Sequence, residues 1–216
     1  AMTFTAQDNC SGSVDVLFTE EITGDEDECA NVYTITRNWV AADCAGNETS
    51  FTQIINVIDS DAPEFNETLP EAELTVECDN VPAAMTFTAQ DNCSGSVDVL
   101  FEESISNRDS DSDFDYTITR TWVTSDCAGN ATSFVQVINI EDNSAPILTE
   151  QGDITLNNDP NLCGAIVTYS VPTATDNCGS AEVTLTEGFD SGKEFPIGTT
   201  KVTYTAVDGN GNTSTV

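Results

Sequence analysis

An internal repeat constrains this chain more than any other feature. Ala1 to Phe18 (AMTFTAQDNCSGSVDVLF) recurs unchanged at Ala84 to Phe101, an offset of 83 residues. The same offset carries Tyr33-Thr-Ile-Thr-Arg37 onto Tyr116-Thr-Ile-Thr-Arg120, Trp39 onto Trp122, and Asp43-Cys-Ala-Gly-Asn47 onto Asp126-Cys-Ala-Gly-Asn130. A third, divergent copy carries Thr175-Asp-Asn-Cys178 and Asp208-Gly-Asn-Gly-Asn212. Self-similarity at a fixed period means tandem modules. The expected domains are 1–61 (incomplete at its start), 62–144, and 145–216 (incomplete at its end). The expectation is a segment of a longer secreted repeat protein.

Within each copy the segments alternate with period two and are rich in Val, Ile, Thr and aromatics, as in Val32 to Ala42 and Ser50 to Ile58. Turn residues separate them, and no stretch has a 3.6-residue period. Short strands at regular spacing in modules of about 80 residues read as immunoglobulin-like β-sandwiches. The fold class is all-β, with the sandwiches in tandem as an extended rod. Trp39 and Trp122 lie on strands and belong to the core. Arg37 and Arg120 share their strand faces, where stacking or a salt bridge would fix register.

The charge decides what the modules do not do. The 216 residues hold 38 acidic and 5 basic side chains and no histidine, a net charge of −33. Binding to nucleic acid needs Lys and Arg to replace counterions, so it is excluded as a partner class. Insertion into membranes and attraction to anionic lipid surfaces are excluded similarly. The commonest general base and metal-ligating nitrogen are missing. Paired carboxylates on hairpin tips have no cleft around them, so no catalysis is expected and no catalytic residue is named.

Eight cysteines in an acidic β chain point to an oxidising, extracellular compartment. Cys78 and Cys93 lie fifteen residues apart, and so do Cys163 and Cys178, each pair ending in Asp-Asn-Cys. The third copy has no cysteine in its Asp-Gly-Asn turn, so these pairs stand apart from that turn. The expected bridges are Cys78–Cys93, Cys163–Cys178 and Cys29–Cys44. Ser112 stands where the first copy has Cys29, which leaves Cys127 unpaired, and Cys10 has no partner within the chain. Zinc is disfavoured because there is no CxxC pair.

Acidic clusters are the candidate sites, and calcium is the cofactor they would take, since it prefers six to eight oxygen ligands. One candidate is the loop Asp109, Asp111, Asp113 and Asp115, which departs from an EF-hand at Phe114 and Arg120. The copy junctions are the other, with Asp59 and Asp61 before Ala62-Pro63, and Asp142 and Asn143 before Ala145-Pro146. The junction Ile58-Asp-Ser-Asp-Ala-Pro-Glu-Phe65 resembles the linkers of cadherins, which implies calcium between domains. The turns at Asp8-Asn9, Asp91-Asn92 and Asp176-Asn177, and the pairs Asp43 with Asn47, Asp126 with Asn130 and Asp208 with Asn212, read first as self-capped turns.

The third copy resembles the HYR (hyalin repeat) domain. The resemblance rests on Cys163-Gly-Ala, Pro172-Thr-Ala-Thr-Asp-Asn-Cys-Gly179, and Phe195-Pro-Ile-Gly-Thr-Thr-Lys-Val-Thr-Tyr-Thr-Ala-Val-Asp208. The first two copies resemble related Ig-like repeats of large surface proteins of gliding bacteria, exported by type IX secretion. The resemblance implies an adhesive or spacer role at the cell surface and carries no catalytic residues. The expected function is a stalk segment of a secreted adhesin. Its partners would be neighbouring repeats, surface glycans or other cells. The alternative is a calcium-dependent homophilic or carbohydrate-binding module.

Overall fold

A computed structural model describes residues 3–10, 12–24, 32–106 and 115–216. Among these residues every regular element is a strand. The chain divides into two compact units. One comprises Ala1–Thr68, Thr86–Phe101 and Trp122–Phe134; the other comprises Leu69–Met85, Glu102–Thr121 and Val135–Val216. The second sequence copy contributes to both. No helix among the described residues is long and apolar enough to cross a membrane.

In the first unit, strands Val16–Gly24, Tyr33–Ala42 and Glu48–Val57 form an antiparallel sheet in that order. Period-two alternation puts Phe18, Trp39 and Phe51 in one cross-strand row. Trp39 sits 5.2 Å from Phe18 and 5.6 Å from Phe51 between ring centroids, and Phe4 meets it edge-on at 4.8 Å. The row recurs around Trp122, with Phe101 at 5.1 Å, Phe134 stacked at 5.7 Å and Phe87 at 4.9 Å. Aromatic pairs at such distances add about 0.5–1.5 kcal/mol beyond the area they bury. Both tryptophans are buried, as the alternation predicts. Two rows down, Glu20 lies opposite Arg37 and binds its Nε at 2.6 Å. The register salt bridge is therefore present.

The second unit contains the equivalent pair, Arg120 Nε to Glu103 at 2.8 Å. Its core is Ile118, Ile138 and Ile140, packed against Leu74, Val76, Cys78, Val81 and Tyr116. Glu73–Val76 builds this core by pairing in parallel with the end of Ala131–Ile140, Leu74 opposite Ile138 and Val76 opposite Ile140. The third copy adds an antiparallel sheet of Glu182–Glu187, Thr203–Val207 and Thr213–Thr215, and a separate pair, Gly164–Val167 with Lys193–Pro196. Tyr169 Oη donates to the Phe189 carbonyl at 2.6 Å and lies 3.0 Å from Tyr204 Oη; burial pushes its pKa up to about 12.

The disulfides correct the expected pairing. Cys78 is bonded to Cys178, so neither Cys78–Cys93 nor Cys163–Cys178 forms. The fifteen-residue spacing marks two positions of the repeat and not a contact. The parallel strand Glu73–Val76 delivers Cys78 next to the Asp-Asn-Cys turn of the following copy, where Cys78 Sγ also lies 3.5 Å from the Asn177 carbonyl. Cys163 is an exposed thiol, as is Cys10. Cys127, expected to be unpaired, is disulfide-bonded. The first error comes from assuming that bridges stay within a copy. The Cys29–Cys44 pair lies outside the described residues through Cys29.

Candidate metal centre

The self-capped turns form as the sequence implies, and they leave one carboxylate oxygen over. Asp91 Oδ1 accepts the Cys93 and Ser94 N–H groups at 2.8 and 2.6 Å. Asp176 Oδ1 accepts the Cys178 N–H at 2.8 Å. These short turns use only Oδ1. Oδ2 of Asp91 and Oδ2 of Asp176 are buried with no hydrogen-bond partner. Such an orphan costs about 1–3 kcal/mol unless something else satisfies it.

The second kind of turn also caps itself. Asp208 Oδ1 accepts the Asn212 N–H at 2.8 Å and Oδ2 accepts Asn212 Nδ2 at 2.9 Å. Asp126 with Asn130 and Asp43 with Asn47 repeat the arrangement. The turn needs a positive φ two residues after Cys44 and Cys127, and Gly46 and Gly129 supply it at +87° and +91°. Asn212 Nδ2 also donates to the Asp142 carbonyl at 3.0 Å, and Asn130 Nδ2 to the Asp59 carbonyl at 3.2 Å. The junction backbone is thus tied to the turn.

These ties assemble a carboxylate cluster in the second unit. Asp142, Asp176 and Asp208 each present an oxygen, and these atoms lie within 4.8 Å of one another. Asp142 and Asp208 are buried. Burial, then the charges of Asp176, Asp208 and Glu77, push the Asp142 carboxyl above its ordinary range, although the Ser144 N–H lowers it. Asp115 Oδ1 accepts the Asp142 N–H at 3.3 Å and Asn210 Nδ2 at 2.8 Å. Asn210 Oδ1 is buried without a partner. An open depression of about 310 Å³ lies alongside, lined by Asp115, Tyr116, Asn139 and the 140–143 segment.

The first unit holds the equivalent set one copy earlier. Asp59, Asp91 and Cys93 present ligand atoms within 4.8 Å of one another. Oδ2 of Asp59 is buried and unpartnered. Asp59 Oδ1 accepts the Asp61 N–H at 3.2 Å, and Asp61 accepts from Asn92 Nδ2 at 3.1 Å. Burial, then the negative charge of Asp59, holds the Cys93 thiol above its usual range.

Of the residues singled out in the sequence, Asp59 and Asp142 join the clusters. Asp61 lies at the rim. Asn143 contributes its backbone N–H to Glu77 Oε2 at 3.2 Å. Asp115 reaches the second cluster, so the acidic loop and the junction meet there. Asp109, Asp111 and Asp113 lie outside the described residues. Asp91, Asp176, Asp208, Glu77 and Asn210 were not among the expected ligands. A signal was present in the repeated Asp-Asn-Cys motif, which reads as a turn because it is one.

The donor set fits a hard cation. Three carboxylates and an orphan amide oxygen suit calcium, which takes oxygen ligands at about 2.3–2.6 Å. Glu77 and Asp142 also converge on Cys178, but its sulfur is in the disulfide. The Cys93 thiol makes the first cluster the poorer calcium site, because sulfur is a soft ligand.

Residues 141–216 match the HYR domain, and residues 67–140 match the HYR-like domain with 4 cysteines. Within the latter span this chain has three cysteines, Cys78, Cys93 and Cys127. The chain is 32% identical over 181 residues to Hyalin of Strongylocentrotus purpuratus, covering 80% of this chain and 15% of that protein. It is 36% identical over 98 residues to Hyalin of Lytechinus variegatus, covering 44% of this chain and 18% of that protein. The chain therefore spans less than a fifth of either relative. Similar solved structures include the extracellular domain of Protocadherin GammaB4, at 12% identity and a TM-score of 0.34, covering 95% of this chain and 43% of that one. Human CDH23 EC21-23 is 12% identical with a TM-score of 0.31, covering 93% and 87%. The HYR match falls on the third copy, where the motifs from Cys163 to Asp208 resemble that domain, and the second copy is similar to the HYR-like domain.

Proposed function

We propose that this chain is an extracellular adhesion-type repeat segment whose copy junctions are ordered by calcium. The observation that carries the reading is the carboxylate cluster of Asp142, Asp176 and Asp208, with an Asp176 oxygen buried and unpartnered. Three like charges at this spacing oppose folding unless a cation joins them. Calcium would be held by these carboxylates and the Asn210 amide oxygen. There it would cancel the repulsion and tie together the junction, the Asp-Asn-Cys turn and the Asp-Gly-Asn turn. Asp59 and Asp91 would hold a weaker ion.

In this reading the copies 1–61, 62–144 and 145–216 act as successive repeats of a non-catalytic stalk. Display on the surface of a gliding bacterium is the setting that the first two copies suggest. Neighbouring repeats are the immediate partners. The buried tryptophans offer no platform for a sugar, so carbohydrate binding has no support from them.

Isothermal titration of the chelated chain with calcium tests the proposal, with small-angle scattering at both end points. Saturable binding that weakens in Asp176→Asn, with a narrower distribution of lengths in calcium, is expected. Absence of binding at millimolar calcium would refute it.

A further inference from the structure

The segments that meet at the Asp142 cluster are not held there in the same way. Asn212 Nδ2 ties the turn that carries Asp208 to the junction, through the Asp142 carbonyl at 3.0 Å. Asp115 Oδ1 accepts the Asp142 N–H at 3.3 Å. The turn that carries Asp176 arrives differently. Its capping bond runs inward, from the Cys178 N–H to Asp176 Oδ1 at 2.8 Å. The strand before it, Ala174–Thr175, is two residues long and pairs with Ile147–Leu148. The Cys178–Cys78 bond then fastens the turn to the second copy.

The same bond sets a second acid in place. Glu77 precedes Cys78, and its Oε2 accepts the Asn143 N–H at 3.2 Å. The Glu141 N–H donates to the Val76 carbonyl at 3.0 Å, which lays this strand end along the junction. Ligand atoms of Glu77, Asp142 and Cys178 lie within 4.8 Å of one another. The disulfide thus joins the segments of two acids that face Asp142. Cys178 is 2% exposed and Cys78 is half-buried, so the bond is embedded beside the cluster.

We infer that the Cys78–Cys178 disulfide positions the calcium site, so that closing the bond raises calcium affinity and bound calcium stabilises the bond. This rests on the calcium reading proposed above. With the bond closed, Asp176 and Glu77 are set around Asp142 before the ion arrives. With it open, the Asp176 turn must be ordered as the ion binds, and that ordering subtracts from affinity. The coupling is reciprocal: the factor that the bond adds to calcium affinity is the factor that saturating calcium adds to the disulfide equilibrium. Couplings between sites are typically about 5–150-fold. Cys78 is the more exposed partner, so a dithiol reductant attacks its sulfur. A mixed disulfide forms there and Cys178 leaves as a thiolate. The second thiol of the reductant then displaces Cys78 and closes a cyclic disulfide. Two electrons and the two thiol protons of the reductant end on the two cysteines.

Calcium titration calorimetry compares the oxidised whole chain with Cys78→Ser/Cys178→Ser, both carrying Asp59→Asn to remove the weaker ion. The serine variant should stay folded in chelator, read from the near-ultraviolet signal of the buried tryptophans. It should bind calcium about 5–150-fold more weakly. Redox titration of the wild type against dithiothreitol, with peptide mass spectrometry counting the 78–178 bond, is the second measurement. Saturating calcium should shift that equilibrium toward the disulfide by the same factor, and Asp176→Asn should remove most of the shift. Equal calcium affinities in the oxidised chain and the serine variant overturn the inference and leave the calcium reading standing. So does a redox equilibrium that calcium does not move. A serine variant that is unfolded in chelator overturns it too, because the bridge then holds the fold and not the site. An oxidised chain that binds no calcium refutes the calcium reading itself, and this inference with it.

Discussion

Asp142→Asn should raise stability without calcium and lower it with calcium. The carboxylate oxygens of Asp142, Asp176 and Asp208 lie within 4.8 Å of one another. A pair of unit charges at that distance repels by about 3.5 kcal/mol at an effective dielectric of about 20, and by about 1 kcal/mol in water. The cluster is buried at Asp142 and Asp208 and more open at Asp176, so the net relief from removing the Asp142 charge is about 1–3 kcal/mol. Asparagine keeps Oδ1, which accepts the Ser144 N–H at 3.1 Å, so the turn survives. In chelator the melting temperature should therefore rise, by about 2–4 °C per kcal/mol for a chain of this size. With calcium at about a hundred times its dissociation constant, the wild type gains about 2.7 kcal/mol and the variant less. The order of the two melting curves then inverts.

The pH dependence follows from the sign of the shift. The Asp142 carboxyl is raised in the folded state, so its ionisation costs stability at pH above its folded pKa. That cost disappears as pH falls below the ordinary value of 3.8. The advantage of Asp142→Asn in chelator should shrink accordingly. Differential scanning calorimetry in chelator and in calcium, at neutral and acidic pH, reads all of this. A variant less stable than wild type in chelator would refute the repulsion argument. Equal calcium shifts in both proteins would refute the site.

The remaining predictions rest on other contacts. Replacing Cys78 and Cys178 by serine opens a loop of 100 residues and should cost about 3–5 kcal/mol, read as a lower denaturant midpoint under oxidising conditions. Glu103→Ala should cost about 3 kcal/mol, because it leaves the 4%-exposed Arg120 buried without its carboxylate. Glu20→Ala should cost about 1 kcal/mol or less by the same chemical denaturation, since Arg37 can rehydrate. The Asp91 carboxyl is held below its ordinary range first by the Ser94 N–H. Its contribution is present above the unfolded pKa and is lost as pH falls through the folded one, so an NMR titration should place its midpoint below that of an unstructured aspartate.

The alternation of apolar and polar residues, together with the 83-residue repeat, determined the strands, the buried Trp39 and Trp122, and the placement of Arg37 and Arg120 on the same strand faces, while their partners Glu20 and Glu103 came from the register of the sheets. Each of these depends on neighbours within a hairpin, where register follows from local pattern. Capping at Asp43, Asp126 and Asp208 was legible for the same reason, since an aspartate that bonds the backbone two to four residues on needs nothing distant. The disulfide and the carboxylate cluster were not legible. Cys78 meets Cys178 because a parallel strand crosses from the second copy toward the third, and parallel pairing leaves no signature in turn length or spacing. Asp142, Asp176 and Asp208 come from three segments far apart in the chain. Only their convergence shows that an Asp176 oxygen left over from turn capping is buried without a partner beside two other carboxylates, where like charges repel.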